Sequence, residues 1–384
     1  MEVKVEQYHD WWFDNAIEFL GHLLEELGVN VEWREGIVFD ALNDDQTERL
    51  IEEIERLIDF KLKYQRTNEK GIPEIKNRAY LPTMHKGKYV NFLGKGTGIK
   101  REICRYLFSL RNSEAGKPCD ICSNYYEDKY GISQVSQIIY PVVTGSLRSQ
   151  CGVRKMEPDY HVCPKCAFLG SIEWLDDIPF ACDHANLTHY LLFPKIEDIQ
   201  ELHVFKDMLR GEVLTQGRNS NVIQGFYMNR QGDKQEIYAR DEYSLLLSLF
   251  ENMAKTIKSI ERYEDILCDE WVSLRITGSD ATYQTKNTYL EEIKIPNIKS
   301  IEKIFKELRK PYSNFIGKTF TKSLISGNTN NELSRKNKYL MSMGIIMDNF
   351  KVFAKAFQIR QNCILAGVSK DMLDKLIYSW RCEE

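Results

Sequence analysis

Pro118-Cys119-Asp120-Ile121-Cys122 and, further along, Cys163-Pro164-Lys165-Cys166 are the stretches on which the reading of this chain turns. Two residues between paired thiolates let each pair grip one ion from a knuckle turn. Two such pairs complete the tetrahedral sulfur set that suits Zn²⁺. Gly116-Lys117 before the first pair and Pro164 inside the second supply turn chemistry. Forty residues, 123–162, separate the pairs, against ~15–20 in a compact zinc ribbon. The intervening segment is therefore an insertion. Its aromatics, Tyr125, Tyr126, Tyr130 and Tyr140, predict that it folds. Four thiolates leave no open coordination position, so the expected zinc is structural. Cys151, His161, Cys182 and His184 lie in or near the same region, and a ligand set that includes one of the histidines stays open.

Catalytic readings of these residues fail on spacing. Pro118-Cys119-x-x-Cys122 matches the second half of the zinc deaminase signature, whose first half is His-x-Glu. No His in the chain has Glu two residues later. Leu93-Gly94-Lys95-Gly96-Thr97-Gly98-Ile99 is rich in glycine, but Ile99 stands where a Walker A loop needs Lys. It also lacks the Rossmann spacing, and Asp120, about 20 residues on, lies within the first cysteine knuckle. His9-Asp10 reads as a helix-capping aspartate beside an ordinary surface histidine.

The 384 residues are 43% hydrophobic and 28% charged, enough for a sizeable interior and for about two domains at ~100–200 residues each. Net charge is −4, yet it is unevenly spread. Residues 1–60 carry 4 Lys and Arg against 17 Asp and Glu, whereas residues 61–117 carry 14 against 4. Residues 118–298 are acidic again, and residues 299–384 are basic, with 16 against 8. Alternating sign of this kind directs attention to polyanion contact in the second and fourth blocks. The first residues are acidic where a secretory signal would be basic, and no run of ~18 apolar residues occurs. Two C-x-x-C pairs in such a chain favour metal over disulfides, and the expected location is cytoplasmic.

Apolar periodicity predicts helices over 10–28 and 46–63, then short β pieces, then a helix near 99–110. Tyr190–Pro194 and Val222–Tyr227 read as strands. From about 238 the texture reads as helical: 241–263, 300–310, a long helix over 340–365 and a last one over 369–380. The expected fold is α+β, with a mixed domain over 1–235 whose zinc-binding region is about 112–190, followed by a C-terminal helical bundle over 236–384.

Lys76, Arg78, Lys86, Lys88, Lys95, Lys100, Arg101 and Arg105 crowd one segment and interleave with Tyr80, Tyr89, Phe92 and Tyr106. Cations that neutralise phosphates beside aromatics that stack on bases suit nucleic acid, and Asn91 could read a base edge. Lys303, Lys306 and Lys310 share a helical face opposite Ile304 and Leu308, a second basic candidate.

Pro118 before Cys119–Cys122, the long insert, His161-Val162-Cys163-Pro164-Lys165-Cys166 and the later Leu191-Leu192-Phe193-Pro194 together resemble a known pattern. It is that of the large subunit of type I (I-A/I-B-like) CRISPR interference (Cascade) complexes, in the subfamily named for its CXXC–CXXC zinc motif. The resemblance is best over about 90–215, and Cys151 and Cys182 are additional to the pattern. It implies a non-enzymatic subunit of an RNA-guided antiviral surveillance complex that recognises the motif flanking the target and stabilises the opened duplex. The implied partners are guide CRISPR RNA, double-stranded target DNA with its displaced strand, backbone and small CRISPR subunits, and a recruited helicase-nuclease; no membrane is involved. The competing expectation is a zinc-dependent nuclease or nucleotide-processing enzyme.

Overall fold

A computed structural model describes residues 2–61, 63–67, 73–77, 104, 116–126, 137–142, 162–183, 188–210, 226–228, 234–236, 241–256, 268–277, 287–301 and 332–357. They form a mixed α+β architecture in two compact units. The first comprises Met1–Asp177, Ile196–Val204 and Ile276–Leu290; the second comprises Ile178–Lys195, Phe205–Arg275 and Glu291–Glu384.

The first unit begins with an antiparallel sheet of β1 (Glu2–Glu6), β2 (Val31–Arg34) and β3 (Gly36–Asp40), in the order β1-β3-β2. Strand β1 alternates exposed Glu and Lys with buried Val3 and Val5, the period-2 signature of a half-buried strand. One residue, Glu35, joins β2 to β3, and the turn needs Gly36 at φ 126°. A Cβ there would come 2.1 Å from the Val5 carbonyl oxygen.

Helix α1 (Trp11–Glu26) starts where Asp10 accepts from the amides of Trp12 and Phe13, as the capping reading of Asp10 expects. Helical spacing over 10–28 predicts a stripe of Phe13, Ile17, Leu20, Leu24 and Leu27; the first four are buried, Leu27 is half-buried, and Trp12, Phe19 and Leu23 are buried as well. Burial nearly all round marks a central helix rather than a surface one. It packs against β3 and against helix α3 (Pro164–Ile172). Its buried polar residues have partners: Asp14 accepts from the Tyr8 amide at 2.8 Å, and Glu18 meets His203 Nδ1 at 3.0 Å. Helix α2 (Asp44–Lys61) buries Leu50, Ile51, Ile54, Leu57 and Ile58, the one-faced stripe that helical spacing predicts over 46–63. Two short antiparallel ladders follow, β4 (Lys63–Thr67) with β5 (Pro73–Asn77) and β6 (Lys117–Pro118) with β7 (Tyr125–Tyr126).

Residues 137–142, within the predicted insertion, are anchored to this core. Trp12 Nε1 donates to the Ile139 carbonyl and Trp174 Nε1 to the Ile138 carbonyl, both at 2.8 Å. The two indoles meet edge-on with centroids 5.0 Å apart. Tyr140 stacks on Phe13 and donates to Asp10 Oδ2 at 2.9 Å. This part of the insertion folds, as its aromatics predict; Tyr130 lies outside the described residues.

Most of a sheet in the order β13-β12-β9-β8 belongs to the second unit. Its strands are β8 (Phe180–Asp183), β9 (Thr188–Pro194), β12 (Glu270–Thr277) and β13 (Asn287–Lys294). A separate antiparallel pair joins β10 (Phe226–Met228) to β11 (Lys234–Glu236). Helix α4 (Ile199–Met208), of which Ile199–Val204 belong to the first unit, is capped by Asp198, and α5 (Glu242–Thr256) by Asp241, whose Oδ1 accepts from the Ser244 amide. Trp271 on β12 is fully buried, edge-on to Phe205 and Phe250.

Two expectations for the region beyond 238 are corrected. It is not wholly helical, because β12 and β13 pair within it. Glu270-Trp-Val-Ser-Leu-Arg-Ile-Thr is rich in β-branched and aromatic residues, and that local preference overrides the helical texture around it. The helix expected over 340–365 is broken. Helix α6 (Glu332–Ile346) ends, Asp348 takes φ 47°, and α7 (Phe350–Phe357) begins with Asn349 Oδ1 accepting from the Val352 amide. Ser300 and Asn297 hold the Asp348 carboxylate, and Gly344 leaves room for Phe353 to fold back. An Asx cap is a stronger local signal than unbroken apolar periodicity. Residues 358–384 lie outside the described residues.

Candidate metal centre

The first knuckle runs through the turn between β6 and β7. The Cys119 amide donates to the Asn124 carbonyl at 2.9 Å, and the Ser123 amide donates to the Cys119 carbonyl at 2.8 Å. Ser123 takes φ 61° to complete that turn. The second knuckle is a helix start. Cys163 is the N-cap of α3, Pro164 occupies the first turn, and the Cys166 amide donates to Cys163 Sγ at 3.4 Å. Proline there costs nothing, since the amide it lacks would have no partner inside the helix. The sequence thus sets Cys163 and Cys166 three residues apart around one helix end.

The two knuckles meet across the insertion. Cys119 Sγ lies 3.7 Å from Cys166 Sγ, Cys122 Sγ lies 3.7 Å from Cys163 Sγ, and all four sulfurs are within 4.8 Å of one another. Four thiolates around an ion at about 2.3 Å form a tetrahedron with edges of about 3.8 Å. Two of the sulfur pairs stand at that spacing and the rest lie within 4.8 Å, so the cluster can bind a metal ion. The Cys163 amide donates to Cys119 Sγ at 3.3 Å, so a backbone dipole supports a thiolate from the opposite knuckle.

Electrostatics favour ionisation at one corner. Hydrogen bonds with the Cys122, Cys163 and Cys166 sulfurs hold Cys119 far below the ordinary thiol range. The hydrogen bond with Cys119 pushes Cys122 up, but those with Cys163 and Cys166 outweigh it and leave it at about 7. The hydrogen bonds with Cys119 and Cys122 push Cys163 up, and burial does the same to Cys166. Bare thiols therefore cannot all ionise together, and a cation is what lets them.

One neighbour has no signature in the sequence. The Tyr8 hydroxyl lies 3.3 Å from Cys166 Sγ, and Lys165 Nζ sits 5.8 Å from the centre of the Tyr8 ring. Burial, then the neighbouring Cys166 charge, push the Tyr8 phenol well above its ordinary value, so it remains a donor. Tyr8 and Cys166 are 158 positions apart, and no spacing rule connects them.

Among the alternative ligands, Cys151, His161 and His184 lie outside the described residues, and Cys182 lies on β8, opposite His189 of β9. The cluster of Cys119, Cys122, Cys163 and Cys166 stands without them. Of the basic candidates, Lys76 lies on β5, where only the backbone is described. Arg78, Lys86, Lys88, Asn91, Lys95, Lys100, Arg101, Arg105, Lys303, Lys306 and Lys310 lie outside the described residues.

Fold and site together define a mixed α+β chain carrying a closed four-cysteine centre of the metal-binding kind. Among the described residues no helix is long and apolar enough to cross a membrane. No protein-family model and no curated protein matches the chain.

Proposed function

We propose that this chain is the non-catalytic large subunit of a type I CRISPR RNA-guided DNA surveillance complex, with structural zinc in the four-cysteine centre. Its role is to recognise the motif flanking the target and to stabilise the opened duplex. The observation that carries the reading is the meeting of Cys119 and Cys122 with Cys163 and Cys166 across a long insertion, in a set that leaves no ligand position for substrate or water. That geometry suits the CXXC–CXXC motif on which the resemblance rests, and it disfavours catalysis at this metal. All-sulfur tetrahedral ligation selects zinc or iron, and four sulfurs within 4.8 Å of one another suit one ion rather than a multi-iron cluster.

The charge pattern supplies the partner. Basic residues 61–117 and 299–384 would neutralise phosphates, while the acidic blocks would face protein or solvent and suppress indiscriminate binding. Guide pairing reads the sequence, and the protein reads a short flank and backbone shape. The test is duplex binding as a function of salt. The full chain binds with a steep salt slope, and changing Lys95, Lys100 and Arg101 together to Ala weakens binding and flattens that slope. Unchanged affinity and slope would remove this loop from the account, and absence of any salt-dependent affinity would remove the nucleic-acid role.

A further inference from the structure

We propose that Glu242, Glu291 and Tyr339 form a proton-operated latch between α5, β13 and α6. With its carboxyl neutral, Glu242 lets α6 sit against α5; once that proton is lost, the α6–α7 hairpin lifts away. The latch depends on neither the metal centre nor the nucleic-acid reading.

The parts lie together within the second unit. Glu242 opens α5 and is only 5% exposed. Tyr243 beside it donates its hydroxyl to Glu291 Oε1 at 2.9 Å and meets the Tyr339 ring edge-on, with centroids 5.5 Å apart. One short stretch of α5 thus touches β13 through a carboxylate and α6 through an aromatic ring. The charges that act most on Glu242 are Asp241 from its own turn, Glu291 from β13 and Arg275 from β12, and Glu242 in turn acts on Tyr339 of α6. Strands β8 and β9 also pack on α5 and carry Cys182, Asp183, His189 and Tyr190, none of which is among those charges.

Charge counting explains why the proton matters. Asp241 accepts from the Ser244 amide and Glu291 from Tyr243, so both act as ionised acceptors, and Arg275 is the cation set against the pair. Ionised Glu242 would be a third carboxylate, buried and without a cation of its own. The start of a helix and its own amide favour the ionised form. Burial and Asp241, joined by Glu291, outweigh them and hold the carboxyl up at about 7.

An ionised Glu242 needs water, and α6 is the wall that yields. The strands are fixed by their pairing, whereas Tyr339 is half-buried and engages α5 through its ring. The Ser342 hydroxyl, fully buried in the same helix, has no hydrogen-bond partner among the described residues. A helix that buries an unpaired hydroxyl sits at the low end of local stability. Helix α7 moves with α6, since Phe353 is seated on Gly344.

The sign follows from linkage. The carboxyl sits at about 7 when the latch is closed and returns toward its ordinary 4.5 when open. Opening therefore grows about tenfold per pH unit between about 4.5 and 7 and levels off above.

The experiment is amide hydrogen exchange on the full chain at pH 5.0 and 7.5, each corrected for the intrinsic exchange rate. Protection over 332–357 is expected to fall by about tenfold or more, while 270–277 on β12 changes much less. Glu242→Gln is expected to abolish the pH dependence, and Glu291→Gln to reduce it. Protection of 332–357 that stays constant, or that rises with pH as Tyr339 swings to donate to ionised Glu242, would overturn the latch. An equal loss over 270–277 would also overturn it, because the unit would then open as a whole. If Glu242→Gln fails to fold, the parent chain and Glu291→Gln still decide.

Discussion

The Tyr8 hydroxyl oxygen lies 3.3 Å from Cys166 Sγ, and this contact ties the segment that follows β1 to the second cysteine knuckle. A thiolate has no hydrogen to give, so in the metal-bound state the phenol is the donor. Groups that hydrogen-bond a metal ligand typically change affinity by 10–100-fold when removed. Tyr8→Phe keeps the buried ring and removes only this bond. The expected outcome is zinc affinity lowered about tenfold with an unchanged circular dichroism spectrum, measured by competition with a chelator of known strength. Unchanged affinity would reduce Tyr8 to a packing residue.

Gly170 on α3 decides how closely residues 137–142 approach. Alanine in a helix interior is worth about 1 kcal/mol over glycine on propensity alone. Here a Cβ would stand 1.9 Å from the Ile139 carbonyl oxygen, the group that accepts from Trp12 Nε1. The clash displaces that carbonyl and leaves a buried indole N–H without its acceptor. Overpacking of this kind costs about 1–3 kcal/mol, so the steric effect wins. Gly170→Ala is expected to lower the urea midpoint; a raised midpoint would contradict the close approach.

Glu242 gives the second unit a pH dependence of definite sign. Burial, then the charge of Asp241, push its carboxyl up to about 7. The folded state therefore holds a proton that the unfolded state has released, and stability falls as pH rises from about 4.5 through 7. The shift is worth up to about 3 kcal/mol. Glu242→Gln fixes the neutral form. Its stability, measured by denaturant melts at pH 5 and pH 8, is expected to exceed that of the parent chain at pH 8 and to match it at pH 5. Equal pH dependence in both proteins would assign the effect elsewhere.

Metal removal loosens the first unit. Cys163 begins α3, α3 packs on α1, and both tryptophans that hold residues 137–142 flank that contact. Binding energy at a thiolate centre is also folding energy. A strong chelator under reducing conditions is expected to lower the melting temperature and to raise amide exchange in α3 and 137–142 more than in β12. Uniform exchange with and without metal would deny the coupling.

Local signals in the sequence carried far, and long-range ones did not. Asp10, the stripe of α1, the stripe of α2 and the strand ending at Pro194 were legible because capping and periodicity act within a few residues. The cysteine cluster was legible as a pair of C-x-x-C turns. The meeting of the two turns across residues 123–162 was an inference from metal chemistry, and the sulfurs do lie together. Tyr8 was invisible, since its partner is 158 positions away and a tyrosine near a strand end signals nothing. Strands β12 and β13 were masked by helical surroundings, and the break at Asp348 was masked by apolar residues continuing on both sides. The basic candidates from Arg78 to Arg105 belong to the sequence reading alone, since they lie outside the described residues.

The most direct test of the metal centre is the metal content of the full chain, purified under reducing conditions without added metal and measured by mass spectrometry of the intact protein under native conditions. The account predicts one zinc per chain, absent from Cys166→Ser, whose partner Cys119 sits 3.7 Å away. A chain that carries no metal, or a Cys166→Ser variant that keeps zinc at full occupancy, would contradict it.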